Sequence, residues 1–232
     1  GSTGVADFRK EFPEASFDVG VAESNMVSAA AGLSKLGYIP VVDTFAQFGV
    51  TKGALPLTMA SLSEAPIIGI FSHTGFQDAA DGASHQALSY VSMLASIPYV
   101  DVYNLSCSEE AHELVKQAIE SFPTDCQKGH APRSKIFFLG RENFPKNYGA
   151  TSFKLGVPQV VSENVKSKTV VIVASGSTVQ SAVSAAVKLE KDGIGAVVVN
   201  QSHLNSFQKD FYAATLKKSN RSEERRVGKE CR

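Results

Sequence analysis

The chain has few cysteines. Cys107, Cys126 and Cys231 are the only three among 232 residues. Their number is odd and no two of them have C-x-x-C spacing, which argues against both a disulfide framework and a zinc site. We therefore interpret them as ordinary thiols.

The sequence also lacks an excess of charge and any long apolar run. Its 23 basic and 23 acidic side chains balance, so we expect neither a broad nucleic-acid-binding surface nor binding to an anionic membrane. The apolar runs are far shorter than the roughly 20 residues of a membrane helix, and the first residues do not have the pattern of a signal peptide. These features predict a soluble, cytoplasmic, globular protein, and the 43% hydrophobic content is ample for a core.

Apolar, strand-like runs alternate with helical patterns through the first half of the chain. Strands are predicted at SFDVG (16–20), YIPVVDTF (38–45), APIIGIF (65–71), YVDVY (99–103) and KIFFLG (135–140). Helices are predicted at about 24–36, 51–62, 85–95 and 108–121. This βαβ alternation predicts an α/β fold with a parallel sheet.

A second α/β unit is predicted from residue 168 onward. TVVIVASGSTVQSAVSAAVKLEKDGIGAVVVN has the pattern of a strand, a glycine turn, a helix and a strand, and a helix is predicted at about 205–216. Two strands are fewer than the four to six of a typical sheet, so this domain is predicted to be incomplete. The predicted division is a first domain at 1–145, a connection at 146–167 and a partial second domain at 168–220.

The last twelve residues, 221–232, differ from all that precede them. RSEERRVGKECR has no apolar period and eight charged side chains, and it resembles translated sequencing-adapter read-through. We treat it as a non-native charged tail and exclude it from the fold. A basic nucleic-acid-binding tail is the alternative interpretation, and the glutamates within the segment argue against it.

The segment FSHTGFQDAADGASHQ, residues 71–86, carries an unusual density of titratable groups. His73, Asp78, Asp81 and His85 follow directly on a predicted buried strand, so they would emerge at its carboxyl end. In open α/β sheets this edge is where ligands bind. Each residue alone has an ordinary explanation, such as a structural histidine or a turn-forming aspartate, but together they predict a functional site.

Three further segments add candidate residues beside strand ends. Glu23 lies where a helix is predicted to begin, and Phe45 and Phe48 follow another predicted strand. Alone, the acid would simply suit the helix dipole and the aromatics would be core. The succession GVAESNM, VVDTFAQF, FSHTGFQDAADGASHQ and FLGRENFP nevertheless resembles, in order and spacing, the pyrimidine-binding domain of transketolase and related thiamine-diphosphate enzymes. The resemblance covers roughly residues 15–145, and the second unit resembles the start of the transketolase C-terminal domain.

The resemblance implies a thiamine-diphosphate site and assigns roles on its cofactor side. The family glutamate that matches Glu23 hydrogen-bonds a ring nitrogen of the cofactor's aminopyrimidine and so activates the cofactor, which makes Glu23 a catalytic candidate. Phe45 and Phe48 match aromatic residues that enclose the pyrimidine through apolar contact. The Mg or Ca ion of the family is bound by the diphosphate-binding domain, so no metal ligand is expected in this chain.

The remaining candidates match residues on the substrate side. The histidines that match His73 and His85 contact hydroxyls, the carbonyl or the phosphate of the sugar, and His85 is the second catalytic candidate. Asp81 would select a hydroxyl configuration by accepting its proton. Arg141 matches an arginine that binds the sugar phosphate, a task suited to its fork of donors.

One part of the family pattern is absent. The chain contains no GDG followed about 30 residues later by Asn, the motif with which the family holds the metal and the cofactor's diphosphate. The resemblance therefore implies a fragment or split subunit with half a site, inactive alone. Its partner would be a diphosphate-binding domain or subunit, in a homodimer or heterotetramer.

Several functions remain open at this stage. The resemblance implies a transferase of the pentose phosphate pathway that moves a two-carbon ketol unit between sugar phosphates. Deoxyxylulose-phosphate synthase and the beta component of a 2-oxoacid dehydrogenase share the cofactor class, although the paired histidines and the REN at 141–143 favour transketolase. A non-catalytic assembly module with the same fold is the alternative from another class.

Overall fold

A parallel sheet of four strands organises the first half of the chain. Its strands are β1 (Val41–Phe45), β2 (Ile68–Ser72), β3 (Val100–Asn104) and β4 (Ser134–Phe138). They lie in the order β1-β2-β4-β3, and each pairs in parallel with its neighbours. The computed structural model describes residues 3–77, 81–127, 132–141, 143–149 and 152–219. The α/β class and the parallel sheet predicted from the sequence are both confirmed.

Helices cover both faces of this sheet. The α-helices among the described residues are α1 (Ala6–Glu11), α2 (Glu23–Lys35), α3 (Ala46–Thr51), α4 (Ala54–Leu62), α5 (Tyr90–Leu94), α6 (Ser108–Gln127), α7 (Thr178–Lys191) and α8 (Lys209–Leu216). Side chains from α2 to α5 pack on one face with Ile67 and Phe71, whereas α6 packs on the other face with Ile68 and Phe137. Burial on both faces explains why these strands have nearly continuous apolar sequences.

The second sheet has three strands. Strands β5 (Gln159–Asn164), β6 (Thr169–Ala174) and β7 (Gly195–Asn200) lie in the order β5-β7-β6. The central strand β7 is parallel to β6 and antiparallel to β5. Helix α7 covers one face of this sheet and Tyr212 of α8 lies against the other. Strand β5 lies inside the segment 146–167 that was predicted as a connection, so the second sheet begins earlier than expected and has one strand more.

Two predicted elements in the first domain are also corrected. Residues 16–20 do not form a strand, because the Asp18 carboxylate accepts a hydrogen bond from Gly20 N at 3.0 Å and this local turn replaces strand pairing. The helix predicted at 51–62 corresponds to α4, which begins at Ala54 and is preceded by a separate short helix, α3, that ends at Thr51. They meet at Gly53, where an added Cβ would lie only 2.2 Å from the carbonyl oxygen of Gly49. Only glycine fits so close an approach.

Strand β3 joins the two sheets. Asn104 N donates to Ser202 O at 2.8 Å, and Leu204 N donates to Val102 O at 2.7 Å. The Asn205 side chain donates to Val100 O at 2.7 Å and accepts from Val102 N at 2.9 Å. The segment 202–205 therefore pairs with the outer side of β3.

A buried polar network reinforces the same junction. Glu110, in the first turn of α6, is 1% exposed. Its Oε2 accepts bonds from the N and Oγ of Ser106, each at 2.7 Å, and its Oε1 accepts from Asn200 Nδ2 at 2.8 Å. Burial raises the pKa of the Glu110 carboxyl, and hydrogen bonds from Ser106, Ser202 and Asn200 act in the opposite direction. One carboxylate thus links α6 to the end of β7.

Candidate active site

The carboxyl ends of β1, β2 and β4 form one edge of the first sheet, and candidate residues leave the strands there. Phe45 is the last residue of β1, His73 directly follows β2, and Arg141 lies shortly after β4. The chain beyond β2 is attached to the chain beyond β4, since Leu139 N donates to Phe71 O at 2.9 Å and Thr74 N donates to Leu139 O at 3.2 Å. The parallel sheet therefore gathers side chains that are far apart in sequence.

Four rings form a contacting cluster at this edge. The rings of Phe45 and Phe48 are stacked with centroids 6.4 Å apart. His73 lies against Phe45 at 4.0 Å, while His85 meets Phe45 at 6.0 Å and the edge of Phe48 at 5.0 Å. All four side chains are only partly buried. The structure thus brings together the two predicted cofactor-side aromatics and the two predicted substrate-side histidines.

The segment between the two histidines is held at both ends. Gly75 N donates to Ala87 O at 3.0 Å, and Thr74 and Ala87 form an isolated parallel bridge. This closure returns His85 to the strand end from which His73 departs. Asp78, part of the same predicted cluster, lies outside the described residues.

His73 has a left-handed backbone with φ of 65°. This conformation is uncommon for residues other than glycine, although histidine adopts it more readily than most. Strain of order 1 kcal/mol or more persists only where surrounding contacts enforce it. Here the ring contact with Phe45 and the bond of Thr74 N to Leu139 fix the turn.

Asp81 and Arg141 form a separate pair near this cluster. Arg141 NH1 lies 3.4 Å from Asp81 Oδ2, and the two side chains are 39% and 45% exposed. So exposed a pair contributes at most about 1 kcal/mol. The structure therefore brings the predicted phosphate-binding arginine next to the predicted hydroxyl-selecting aspartate, through a contact that solvent or a ligand can replace.

Glu23 is the first residue of α2 and is partly buried. The beginning of this helix is attached to the turn between α3 and α4, because Ser24 Oγ donates to Lys52 O at 2.5 Å. Its carboxylate also lies at the positive end of the helix dipole. The structure thus places Glu23 on a helix next to α3, the helix that carries Phe48.

Sequence reasoning missed two serines. Ser72 Oγ lies 2.8 Å from Nδ1 of His73, and Ser84 Oγ lies 3.0 Å from Nδ1 of His85. The sequence does contain a pattern that indicates these contacts, since a serine directly precedes each candidate histidine.

The donor set at this edge suits an aromatic ring better than a metal. Stacked, half-open phenylalanine rings offer apolar surface to a flat ring. A depression of about 250 Å³ is lined by residues that include Gln47 and Gln86, the sequence neighbours of Phe48 and His85. Within the residues that the structure describes, no group of three or more His, Cys, Asp or Glu side chains is arranged to hold a metal ion.

None of the helices in the described part of the chain has the length and apolar character needed to cross a membrane.

Two family models match the sequence. Residues 1–126 match the transketolase pyrimidine-binding domain, and residues 160–223 match the transketolase C-terminal domain. The 1-deoxy-D-xylulose-5-phosphate synthase of Syntrophus aciditrophicus is 31% identical over 212 residues, covering 90% of this chain and 30% of the relative. Human transketolase-like protein 2 is 31% identical over 194 residues, covering 83% and 29%. The chain spans about a third of the length of the curated relatives it matches.

Solved structures show the same similarity. A structure described as a split-gene transketolase in an inactive beta4 tetramer matches with a TM-score of 0.78 at 28% identity, covering 94% of this chain and 67% of that one. A transketolase from Pichia stipitis in complex with sedoheptulose 7-phosphate matches with a TM-score of 0.71 at 25% identity, covering 84% and 28%. The fold and the order of the two domains are thus shared with these proteins.

Proposed function

Because the chain belongs to the transketolase family of thiamine-diphosphate enzymes, we propose that it carries the pyrimidine- and substrate-binding half of a transketolase active site. The proposed reaction transfers a two-carbon ketol unit from a ketose phosphate to an aldose phosphate. The observation that carries the proposal is the cluster of Phe45, Phe48, His73 and His85 at one sheet edge. It combines an apolar surface for a flat ring with two groups able to hold sugar oxygens.

The residues on the cofactor side would bind the pyrimidine ring of the cofactor and activate the cofactor. When bound, thiamine diphosphate would supply a nucleophilic thiazolium carbon for the ketose carbonyl and a group that stabilises negative charge on the substrate. Phe45 and Phe48 would enclose the pyrimidine ring through apolar contact. Glu23 would share a proton with a ring nitrogen of that pyrimidine, a function that improves as the carboxylate is removed from water.

The residues on the substrate side orient the sugar. His73 and His85 would hold its hydroxyl or carbonyl oxygens, and His85 would also move a proton during transfer. Asp81 would accept a hydrogen bond from one hydroxyl and so select its configuration. Arg141 would exchange its contact with Asp81, at 3.4 Å, for a bidentate contact to the sugar phosphate.

The other half of the site is proposed to lie on a diphosphate-binding domain or subunit, which would also hold the Mg or Ca ion. The assembly would be a homodimer or a heterotetramer. One similar solved structure is a split-gene transketolase in an inactive beta4 tetramer, and a split gene supports a separate chain for the missing half. We further propose that residues 1–145 and a second domain that begins with β5 act as the two domains of this half, in the cytoplasm and within the pentose phosphate pathway.

Deoxyxylulose-phosphate synthase is the second candidate, since curated relatives at 28% and 31% identity carry that name. The paired histidines and Arg141 favour transketolase. The test is to combine the chain with a diphosphate-binding chain from the same genome or from a split-gene transketolase. Ketol transfer from xylulose 5-phosphate to ribose 5-phosphate would support the proposal, whereas release of carbon dioxide from pyruvate with an aldose phosphate would support the synthase.

The purified chain alone is expected to show no ketol transfer, even with saturating cofactor and magnesium. Its 232 residues contain no GDG motif with the spaced asparagine, so it lacks the ligands for the metal and the diphosphate. A coupled assay with the two sugar phosphates measures this directly. Turnover above that of a Glu23→Ala preparation would contradict the half-site proposal.

Arg141→Ala is expected to raise the KM for phosphorylated sugars in the combined enzyme by roughly 10- to 150-fold, with little change in kcat. A charge-assisted hydrogen bond to a phosphate contributes about 1.5 to 3 kcal/mol, and it is made in the ground and transition states alike. Lys146→Ala is the matched control, because this cation is 84% exposed. An unchanged KM for Arg141→Ala would remove the arginine from the phosphate site.

A further inference from the structure

The two candidate histidines share one local arrangement. In both, the hydroxyl of the preceding serine lies within hydrogen-bonding distance of Nδ1: 2.8 Å from Ser72 to His73, and 3.0 Å from Ser84 to His85. The two pairs occur in different backbone settings, since His73 is left-handed after β2 whereas His85 follows a turn in which its N donates to Gly82 O. The contact is therefore not a by-product of one backbone conformation.

A hydrogen bond at Nδ1 determines whether the other ring nitrogen, Nε2, acts as a hydrogen-bond donor or acceptor. Neutral imidazole carries its proton on one nitrogen and a lone pair on the other, and the partner of one nitrogen sets the tautomer. A serine hydroxyl that donates to Nδ1 stabilises the form in which Nε2 carries the hydrogen. Nε2 then becomes a hydrogen-bond donor directed away from the serine.

The phenylalanines restrict the remaining freedom of both rings. The His73 ring lies 4.0 Å from Phe45, and the His85 ring meets the edge of Phe48 at 5.0 Å with an interplanar angle of 83°. With Nδ1 bonded and the ring in contact with an aromatic side chain, rotation about χ2 would break one contact or the other. Both imidazoles are thus held with a defined nitrogen available.

We propose that Ser72 and Ser84 are positioning residues that fix both histidines as Nε2–H donors, so that two donors converge on oxygen atoms of the substrate. The identity of these oxygens as sugar oxygens rests on the proposed function, whereas the tautomer assignment does not. An oxygen-rich substrate supplies acceptors in every hydroxyl and carbonyl, and two pre-set donors would bind it without first exchanging tautomers.

Nitrogen-15 NMR of the histidine rings in the purified chain tests the assignment. At about pH 8.5, above the ordinary pKa of imidazole, His73 and His85 should show the Nε2–H form, with His73→Gln and His85→Gln variants identifying their signals. Ser72→Ala should shift only His73 toward a tautomer mixture, and Ser84→Ala only His85. Ser72→Thr and Ser84→Thr should restore the wild-type pattern. Ser28→Ala is the control, because its hydroxyl bonds Ser24 O within α2.

A second measurement separates this inference from the proposed function. In the combined enzyme, each alanine variant should lower kcat/KM by about 2- to 13-fold, the effect of one neutral hydrogen bond of 0.5 to 1.5 kcal/mol, and each threonine variant should recover it. Nδ1–H tautomers, or ring signals unaffected by both alanine variants, would overturn the positioning role whatever the activity. The predicted NMR pattern in an assembly without ketol transfer would sustain the positioning role and reject the transketolase function.

Discussion

Glu23→Gln is expected to lower the turnover of the combined enzyme by at least about 100-fold, the usual contribution of a general acid or base. Glutamine has nearly the shape of glutamate and can still form a hydrogen bond, but it cannot take up and return a proton. The loss should therefore appear in kcat with the substrate KM little changed. Steady-state kinetics of ketol transfer measures the effect.

Association of the two chains should not depend on this carboxylate. Glu23 is only partly buried at the start of α2, so the variant should retain wild-type complex formation in analytical ultracentrifugation. Glu11→Gln is a matched control, since Glu11 is exposed at the end of α1 and its change should leave turnover intact. Equal activity of Glu23→Gln and wild type would instead favour a non-catalytic assembly module.

Glu110→Ala is expected to lower the free energy of unfolding by about 2 to 4 kcal/mol. The change leaves Ser106 N and one bond of Asn200 Nδ2 without their acceptor in a buried site, and each unsatisfied buried group costs about 1 to 3 kcal/mol. Urea unfolding followed by fluorescence and circular dichroism measures the loss. Because the network joins α6 to the end of β7, the two domains should also unfold less cooperatively.

The neighbouring glutamate provides the control. Glu109 lies in the same helical turn, is 37% exposed, and contacts Lys146 at 3.8 Å and Asn147 at 2.8 Å. Glu109→Ala should cost at most about 1 kcal/mol. Equal losses for the two variants would show that the buried network does not stabilise the junction.

The stability contributed by Glu110 should also depend on pH. Burial raises its pKa in the folded state above the ordinary value of 4.5, so the folded protein binds the proton more tightly than the unfolded chain. The part of its contribution that is linked to proton binding is therefore complete below about pH 4.5 and is lost as the pH rises through the folded-state pKa. The difference in unfolding free energy between wild type and Glu110→Gln should shift in favour of the variant as the pH increases over this range.

The parallel sheet and the position of its site were accessible from the sequence. Buried parallel strands leave continuous apolar runs, and the polar residues that follow them must lie at the same edge. On this basis His73 and Phe45 are expected at the same sheet edge, and in the structure their ring centroids lie 4.0 Å apart. The catalytic and binding roles of these residues remain predictions.

Other features depend on tertiary contacts that no local pattern reveals. Glu110 lies in the first turn of α6, where an acid suits the helix dipole, yet its side chain turns inward to meet Asn200, ninety residues away. Strand β5 has the mixed sequence QVVSEN and is defined by antiparallel pairing with β7. The turn at Asp18 differs from these, because the bond from Gly20 N to the Asp18 carboxylate is local and lies inside the predicted strand. The tail at 221–232 lies outside the described residues.

The pairing of residues 202–205 with β3 has a consequence for solubility. β3 is an outer strand of the first sheet, and an outer strand with open amide and carbonyl groups recruits other chains into aggregates. The backbone of Ser202 and Leu204 and the amide of Asn205 occupy that side of β3. The C-terminal domain therefore shields the first sheet from self-association. A shortened protein that ends before residue 202 would expose the unpaired backbone of β3 and would be prone to aggregate, even if the core of the first domain stayed intact.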